Sequence, residues 1–206
     1  MHPIFRDTRV IPVVTIDRAA DAVPLARALA RGGLRLLEVT FRTEAAPAAI
    51  AAIAREVPEA VVGAGTLLRP ADVTRAAEAG ARFLVSPGFT PELVAAGLAS
   101  EVPYLPGVAT ASEVMLARSL GCSFLKFFPA SAMGGPATLA AFAPVFRGIA
   151  FCPTGGITAD TAHSYLSLPN VPMVGGSWMA PANALAERDW ARITTLATAA
   201  AGLKRA

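Results

Sequence analysis

The sequence has little charge, and it has almost no lysine. Only 16% of its 206 residues are charged, and of the 18 basic ones only Lys126 and Lys204 are lysines. The arginines are scattered and the net charge is +3. No basic run resembles a nucleic-acid arm, so no nucleic-acid partner is expected. Histidine and cysteine are equally scarce. His2 and His163 stand apart from Cys122 and Cys152, which leaves no zinc-ligand spacing, and no metal site is expected. One cysteine pair is not a disulfide framework, so both read as buried thiols. Long apolar runs are missing too, although 54% of the residues are apolar. Residues 127–146 carry no charge, but Pro129, Pro136, Pro144, Gly134 and Gly135 interrupt them. A membrane-spanning helix needs ~20 mostly apolar residues without such breaks. "MHPIFRDTRV" has no apolar h-region of a signal peptide. A soluble, cytoplasmic protein with no membrane partner is expected.

What is present is an alternation. Short segments rich in Val, Ile, Leu and Phe recur: "VIPVVTI" (10–16), "LRLLEVT" (34–40), "AVVGAG" (60–65), "RFLVS" (82–86), "PYLPG" (103–107), "SFLKFF" (123–128), "GIAFCP" (148–153) and "VPMVGG" (171–176). They read as strands. Ala- and Leu-rich helical stretches lie between them, near 19–31, 44–56, 70–79, 90–99, 110–120, 135–143, 159–167 and 187–202. Gly32-Gly33, Gly80 and Gly121 follow helices as C-terminal glycines do. Thr90-Pro91-Glu92 reads as an N-cap followed by proline at the first helical position. An open doubly wound sheet would normally carry a G-x-G-x-x-G loop after its first strand, which here ends "TIDRAA". Eight strand–helix units in one domain, residues 1–206, predict a (β/α)8 TIM barrel with a short N-terminal helix.

The unusual residues gather at the C-terminal ends of these strands, the face that carries the active site in such barrels. Glu38 and then Arg42 belong to the second strand. Gly65-Thr66 end the third, Ser86-Pro87-Gly88 the fourth, and Pro106-Gly107 the fifth. Lys126 sits within the sixth, Thr154-Gly155-Gly156 end the seventh, and Gly175-Gly176-Ser177 end the eighth. Lys126 and Glu38 are both embedded in apolar strands. One reading is a structural ion pair, Glu38 with Lys126 or with Arg42. The other is a Schiff-base lysine beside a general base: apolar surroundings lower a lysine's pKa and free its amine to attack a carbonyl carbon. Arginine stays protonated and cannot do this. The glycines of "PTGGI" and "GGSW" let backbone N–H groups approach an anion, and Ser177 adds a hydroxyl. The loops after strands seven and eight are the usual phosphate site of these barrels. Trp178 and Met179 read as packing.

Together "LEVTFRT", "GAGT", "SPGFT", "LKFFPA", "FCPTGGI" and "GGSWM" resemble the bacterial 2-keto-3-deoxy-6-phosphogluconate (KDPG) aldolase family, whose members often also cleave 4-hydroxy-2-oxoglutarate (KHG). The resemblance runs from about Val10 to about Leu203. It implies a (β/α)8 barrel, a homotrimer, no metal or other cofactor, and class I aldolase chemistry on a small phosphorylated keto acid. By motif, Lys126 is then the Schiff-base lysine and Glu38 the acid/base. Arg42 and Thr66 hold the pyruvoyl carboxylate and its surroundings, and Pro87 and Phe128 line the pocket. Thr154, Gly155, Gly156, Gly176 and Ser177 serve the phosphate end. Two departures stand out: Ser131 where many members have Glu after KFFPA, and Phe41 where Leu is commoner. A stereoisomeric substrate such as 2-keto-3-deoxy-6-phosphogalactonate is the nearest alternative. A non-catalytic sugar-phosphate-binding barrel is the more distant one; it would keep the glycine loops without needing both Lys126 and Glu38.

Overall fold

The computed structural model describes residues 2–203; Lys204 lies outside them. Nine strands are described: β1 (Val10–Val14), β2 (Leu36–Thr40), β3 (Val61–Gly65), β4 (Leu84–Val85), β5 (Tyr104–Leu105), β6 (Gly107–Val108), β7 (Phe124–Phe127), β8 (Ala150–Pro153) and β9 (Val174–Gly176). The helices are α1 (Ala22–Arg31), α2 (Ala46–Glu56), α3 (Pro70–Glu78), α4 (Pro91–Ala99), α5 (Ala111–Ser119), α6 (Gly135–Val145), α7 (Ala159–Leu166), α8 (Ala182–Glu187) and α9 (Trp190–Ala201). Every strand pairing is parallel, as a βα alternation requires.

The ladder differs from the expected single eight-stranded ring. The strands form one sheet in the order β5-β4-β3-β2-β1-β9 and a second in the order β6-β7-β8. The fifth predicted strand is divided at Pro106, which has no N–H to give to a ladder. Its carbonyl still accepts from the Lys126 N–H at 2.9 Å. On the other side, β8 meets β9 only through a bridge between Thr154 and Gly175, and β9 is three residues long, two of them glycine.

Alternate strand residues belong to different cores, as the two-residue period dictates. Leu37, Val39, Val62, Ala64, Leu84, Leu125, Phe127 and Val174 share a buried cluster with helix residues such as Leu25, Leu29, Ile50 and Ile53. Ile11, Leu36, Phe83, Val85, Leu105, Phe124, Cys152 and Met173 form a second cluster with Phe5. The short N-terminal helix is a single 3-10 turn, Pro3–Phe5. Its Phe5 ring packs edge-on against Phe83 and Phe124, each with centroids 5.5 Å apart. Burying one such ring is worth about 1.5–3 kcal/mol, and here it fills the interior at the N-terminal ends of β4 and β7. The opposite end of the strands stays free for polar groups.

Helix ends follow the signals in the sequence. Thr90 caps α4 by accepting the Leu93 N–H at 3.2 Å, with Pro91 in the first turn. The final predicted helix, 187–202, is α9; the short α8 precedes it and was not expected, and Arg188, with a left-handed φ of 56°, separates the two.

Candidate active site

Glu38 and Lys126 lie 88 residues apart in sequence and meet in the interior. Their backbones sit in mid-strand: Glu38 is opposite Val13 and Gly63, and Lys126 is opposite Gly107 and Cys152. Lys126 Nζ donates to Glu38 Oε1 at 3.1 Å, and the two side chains are only 6% and 4% exposed. Of the two pairings the sequence left open for Glu38, the structure contains this one. The carboxylate needs the glycine beside it. A Cβ on Gly65 would stand 2.0 Å from Glu38 Oε1, so any other residue there would displace it. Lys126 Nζ also lies 5.4 Å from the centroid of the Phe128 ring, a favourable place for a cation.

Cys152 is one of the two cross-strand neighbours of Lys126. Burial pushes its thiol up to about 12; the Glu38 charge adds to this, while Lys126 and a hydrogen bond with Thr154 oppose it. The thiol is therefore held neutral. It is no nucleophile at ordinary pH.

Near the pair lies a cavity of about 700 Å³, a size that suits a small metabolite. Glu38 and Lys126 are not among its lining residues, but Val13, opposite Glu38, and Phe128, beside Lys126, are. Arg42, Phe128, Thr154, Gly155, Gly156, Gly176 and Ser177 all line it. Thr66 and Pro87 are not among the lining residues. Pro87 is half-buried beside Gly107, and Thr66 follows Gly65 with a left-handed φ of 60°, which is uncommon for a β-branched residue. Arg42 is exposed and makes no hydrogen bond or ion pair among the described residues. Its turn is anchored on both sides: the Phe41 N–H donates to Gly65 at 2.7 Å and the Thr43 hydroxyl to the Ile16 carbonyl at 2.6 Å. The Phe41 ring lies 5.7 Å from the Arg75 guanidinium, which accounts for an aromatic residue at that position.

Gly155 and Gly156 have φ values of +101° and +74°, open to glycine and strained for other residues. The Gly155 N–H faces Gly175 across the Thr154–Gly175 bridge, and those of Gly156 and Ser177 meet no acceptor among the described residues. Unpaired N–H groups along a cavity wall make a cradle for an anion.

A family model described as KDPG and KHG aldolase matches residues 1–196. The chain belongs to the KDPG and KHG aldolase family. The KHG/KDPG aldolase of Escherichia coli K12 is 50% identical over 188 residues, 91% of this chain and 88% of that one. The KDPG aldolase of Zymomonas mobilis ZM4, solved with 3-phosphoglycerate, is 49% identical with a TM-score of 0.93, covering 98% of this chain and 95% of that one. The KDPG aldolase of Legionella pneumophila is 46% identical, also with a TM-score of 0.93, covering 96% of both chains. That structure holds pyruvate captured at low pH as a covalent carbinolamine intermediate.

The aldolase fold also brings residues to the cavity that sequence reasoning passed over. Asp17, Arg18 and Asp21 line its mouth. Asp21 accepts from Arg18 at 2.8 Å and from Arg188 at 2.9 Å, tying the end of β1 to the end of α8. The available signal was the charge-rich "DRAAD" just after the first strand. Leu185 and Ala186 of α8 complete the wall; a six-residue helix between two larger segments carries too little periodicity to be read.

Proposed function

We propose that Lys126 and Glu38 are the reacting centre of a class I aldolase that cleaves KDPG to pyruvate and glyceraldehyde 3-phosphate, and KHG to pyruvate and glyoxylate. The observation that carries this reading is the buried 3.1 Å contact between Lys126 Nζ and Glu38 Oε1 next to a cavity with an arginine and unpaired N–H groups on its wall. The protein is an aldolase, a carbon–carbon lyase. The roles of its residues follow from chemistry.

Lys126 passes a proton to Glu38 across their contact, and the freed amine attacks the C2 ketone to give a carbinolamine. Glu38 returns the proton to the C2 hydroxyl, which leaves as water and gives a protonated imine. The imine is an electron sink. Glu38, directly or through one water, takes the proton from the C4 hydroxyl. The C3–C4 bond then breaks, its electrons form an enamine, and the aldehyde leaves. Glu38 returns its proton to C3, and water releases pyruvate and the free amine. Arg42 has a planar fork suited to both oxygens of the pyruvoyl carboxylate, with Thr66 beside it. Phe128 bounds the pyruvoyl end of the pocket, and Pro87 lies outside its lining. Thr154, Gly155, Gly156, Gly176 and Ser177 receive the phosphate. No cofactor takes part in these steps.

The two sheets are read as arcs of one (β/α)8 barrel, joined through Pro106 between β5 and β6 and through the Thr154–Gly175 bridge between β8 and β9. A homotrimer would cover large apolar side chains that stand more than half exposed, such as Leu68, Met115 and Val145; sedimentation tests it. No helix among the described residues is long and apolar enough to cross a membrane, in keeping with a cytoplasmic enzyme.

Pyruvate plus borohydride should add one reduced pyruvyl mass at Lys126, and Lys126→Arg should abolish both label and turnover. Labelling of Lys204 instead, or normal turnover by Lys126→Arg, would overturn the assignment. A panel of phosphorylated keto acids differing at C4 then separates KDPG from its stereoisomers.

A further inference from the structure

The loop after β7 and the loop after β8 meet at Ser131. The Ser131 N–H donates to the Gly155 carbonyl at 3.0 Å, and its hydroxyl donates to the Gly156 carbonyl at 3.0 Å. The preceding residue, Ala130, donates to the Thr154 carbonyl at 2.8 Å. Two adjacent residues of one loop thus hold three consecutive carbonyls of the other. The contact is close: a Cβ added to Gly156 would come within 2.7 Å of Ser131 Cβ and Oγ.

A trans peptide is planar, with its N–H pointing away from its C=O. Pinning the Thr154, Gly155 and Gly156 carbonyls toward Ala130 and Ser131 therefore aims the N–H groups of Gly155, Gly156 and Ile157 the opposite way. All three residues line the cavity. The Gly155 N–H faces Gly175 across the Thr154–Gly175 bridge, while those of Gly156 and Ile157 have no acceptor among the described residues. Ser131 is also only five residues beyond Lys126 on the same segment, so one stretch of chain carries the reactive amine and orients the donors at the far end of the substrate.

We infer that Ser131 is a positioning residue that sets the preference for phosphorylated over unphosphorylated keto acids. Its hydroxyl fixes the Gly156–Ile157 peptide plane and its N–H fixes the Gly155–Gly156 plane. The inference rests on the reading of these glycine loops as the phosphate end. Ser131 itself touches neither the reacting carbons nor the phosphate.

The test is steady-state kinetics of Ser131→Ala, Ser131→Thr and Ser177→Ala on KDPG and on KHG, with thermal midpoints measured alongside. Losing one neutral hydrogen bond corresponds to about a three- to tenfold effect. Ser131→Ala should raise KM for KDPG by about that factor with kcat little changed, and leave KHG cleavage unaltered. Ser131→Thr keeps the hydroxyl and should return KM to the wild-type value. The inference about Ser131 falls alone if Ser177→Ala raises KM for KDPG and Ser131→Ala does not. It also falls if Ser131→Ala slows both substrates equally, since the residue then supports only the lysine segment. If neither variant separates the two substrates, the phosphate reading falls and takes the inference with it.

Discussion

A lysine and a glutamate buried against each other hold one another's charge, and each becomes a liability without its partner. Removing one member of a buried pair costs about 3–5 kcal/mol, because the other charge is left in a poor solvent, whereas replacing both can be nearly neutral. Lys126 and Glu38 meet this condition, with side chains 6% and 4% exposed. We predict that Lys126→Met lowers the unfolding free energy by about 3 kcal/mol or more, and that adding Glu38→Gln restores most of it, as urea titration would show. The double variant should be folded and inactive. Equal stability of the single and double variants would mean that the pair is not coupled. The candidate pair was legible in the sequence for the same reason that it is costly: a charge inside an apolar strand demands an explanation. Thr66 and Pro87 illustrate the limit. Their motifs put them at strand ends, but the direction of a side chain there depends on the turn that follows, and they are not among the residues that line the cavity.

At the scale of single elements, the caps do measurable work. Asp72, in the first turn of α3, accepts the N–H groups of Leu68 and Arg69, both at 3.1 Å, and pairs with the Arg69 guanidinium at 3.2 Å. Burial by itself would raise its carboxyl pKa. The two backbone bonds and Arg69 outweigh that effect and hold the pKa below the ordinary value. A carboxyl whose pKa is depressed on folding contributes stability above its unfolded pKa and loses it as pH falls through the folded value. Asp72→Ala should therefore cost about 1 kcal/mol at pH 7, and the gap in thermal midpoint from the wild type should narrow as the pH is lowered below 4. A constant gap would show that the charge plays no part. Most helices and strands were readable from period and caps, since those signals are local. The division of the fifth strand was not, although a proline without an N–H interrupts a ladder at Pro106, nor was the short α8, since six residues carry too little periodicity.

For the whole molecule, burial sets the alkaline limit. Burial pushes Cys152 from an ordinary 9.0 up to about 12, with Glu38 adding to it and Lys126 opposing. Tyr104 is pushed from 10.0 to about 12, also chiefly by burial, against a 2.6 Å hydrogen bond with Ser86. Both groups are raised on folding and neutral when protonated. Their stabilising share is complete below the unfolded values and is lost as pH rises through 9–12, where the unfolded chain ionises and the folded one does not. The urea midpoint should fall steadily over that window, and Cys152→Ala should make the decline shallower at its lower end. A flat midpoint from pH 8 to 11 would contradict this.

The sequence by itself determined the parallel α/β plan, the one lysine and one strand carboxylate that call for each other, and the glycine loops. Periodicity, capping and the cost of a buried charge all act within a few residues, so the chain states them openly. The tertiary structure decided that residues 38 and 126 meet at 3.1 Å and that Ser131 clamps the loop of Gly155 and Gly156. It also decided that α8 and the Arg18–Asp21–Arg188 contacts shape the mouth of the cavity. These follow from strand register and from which loop packs on which, and such choices are settled by contacts between segments far apart in the chain.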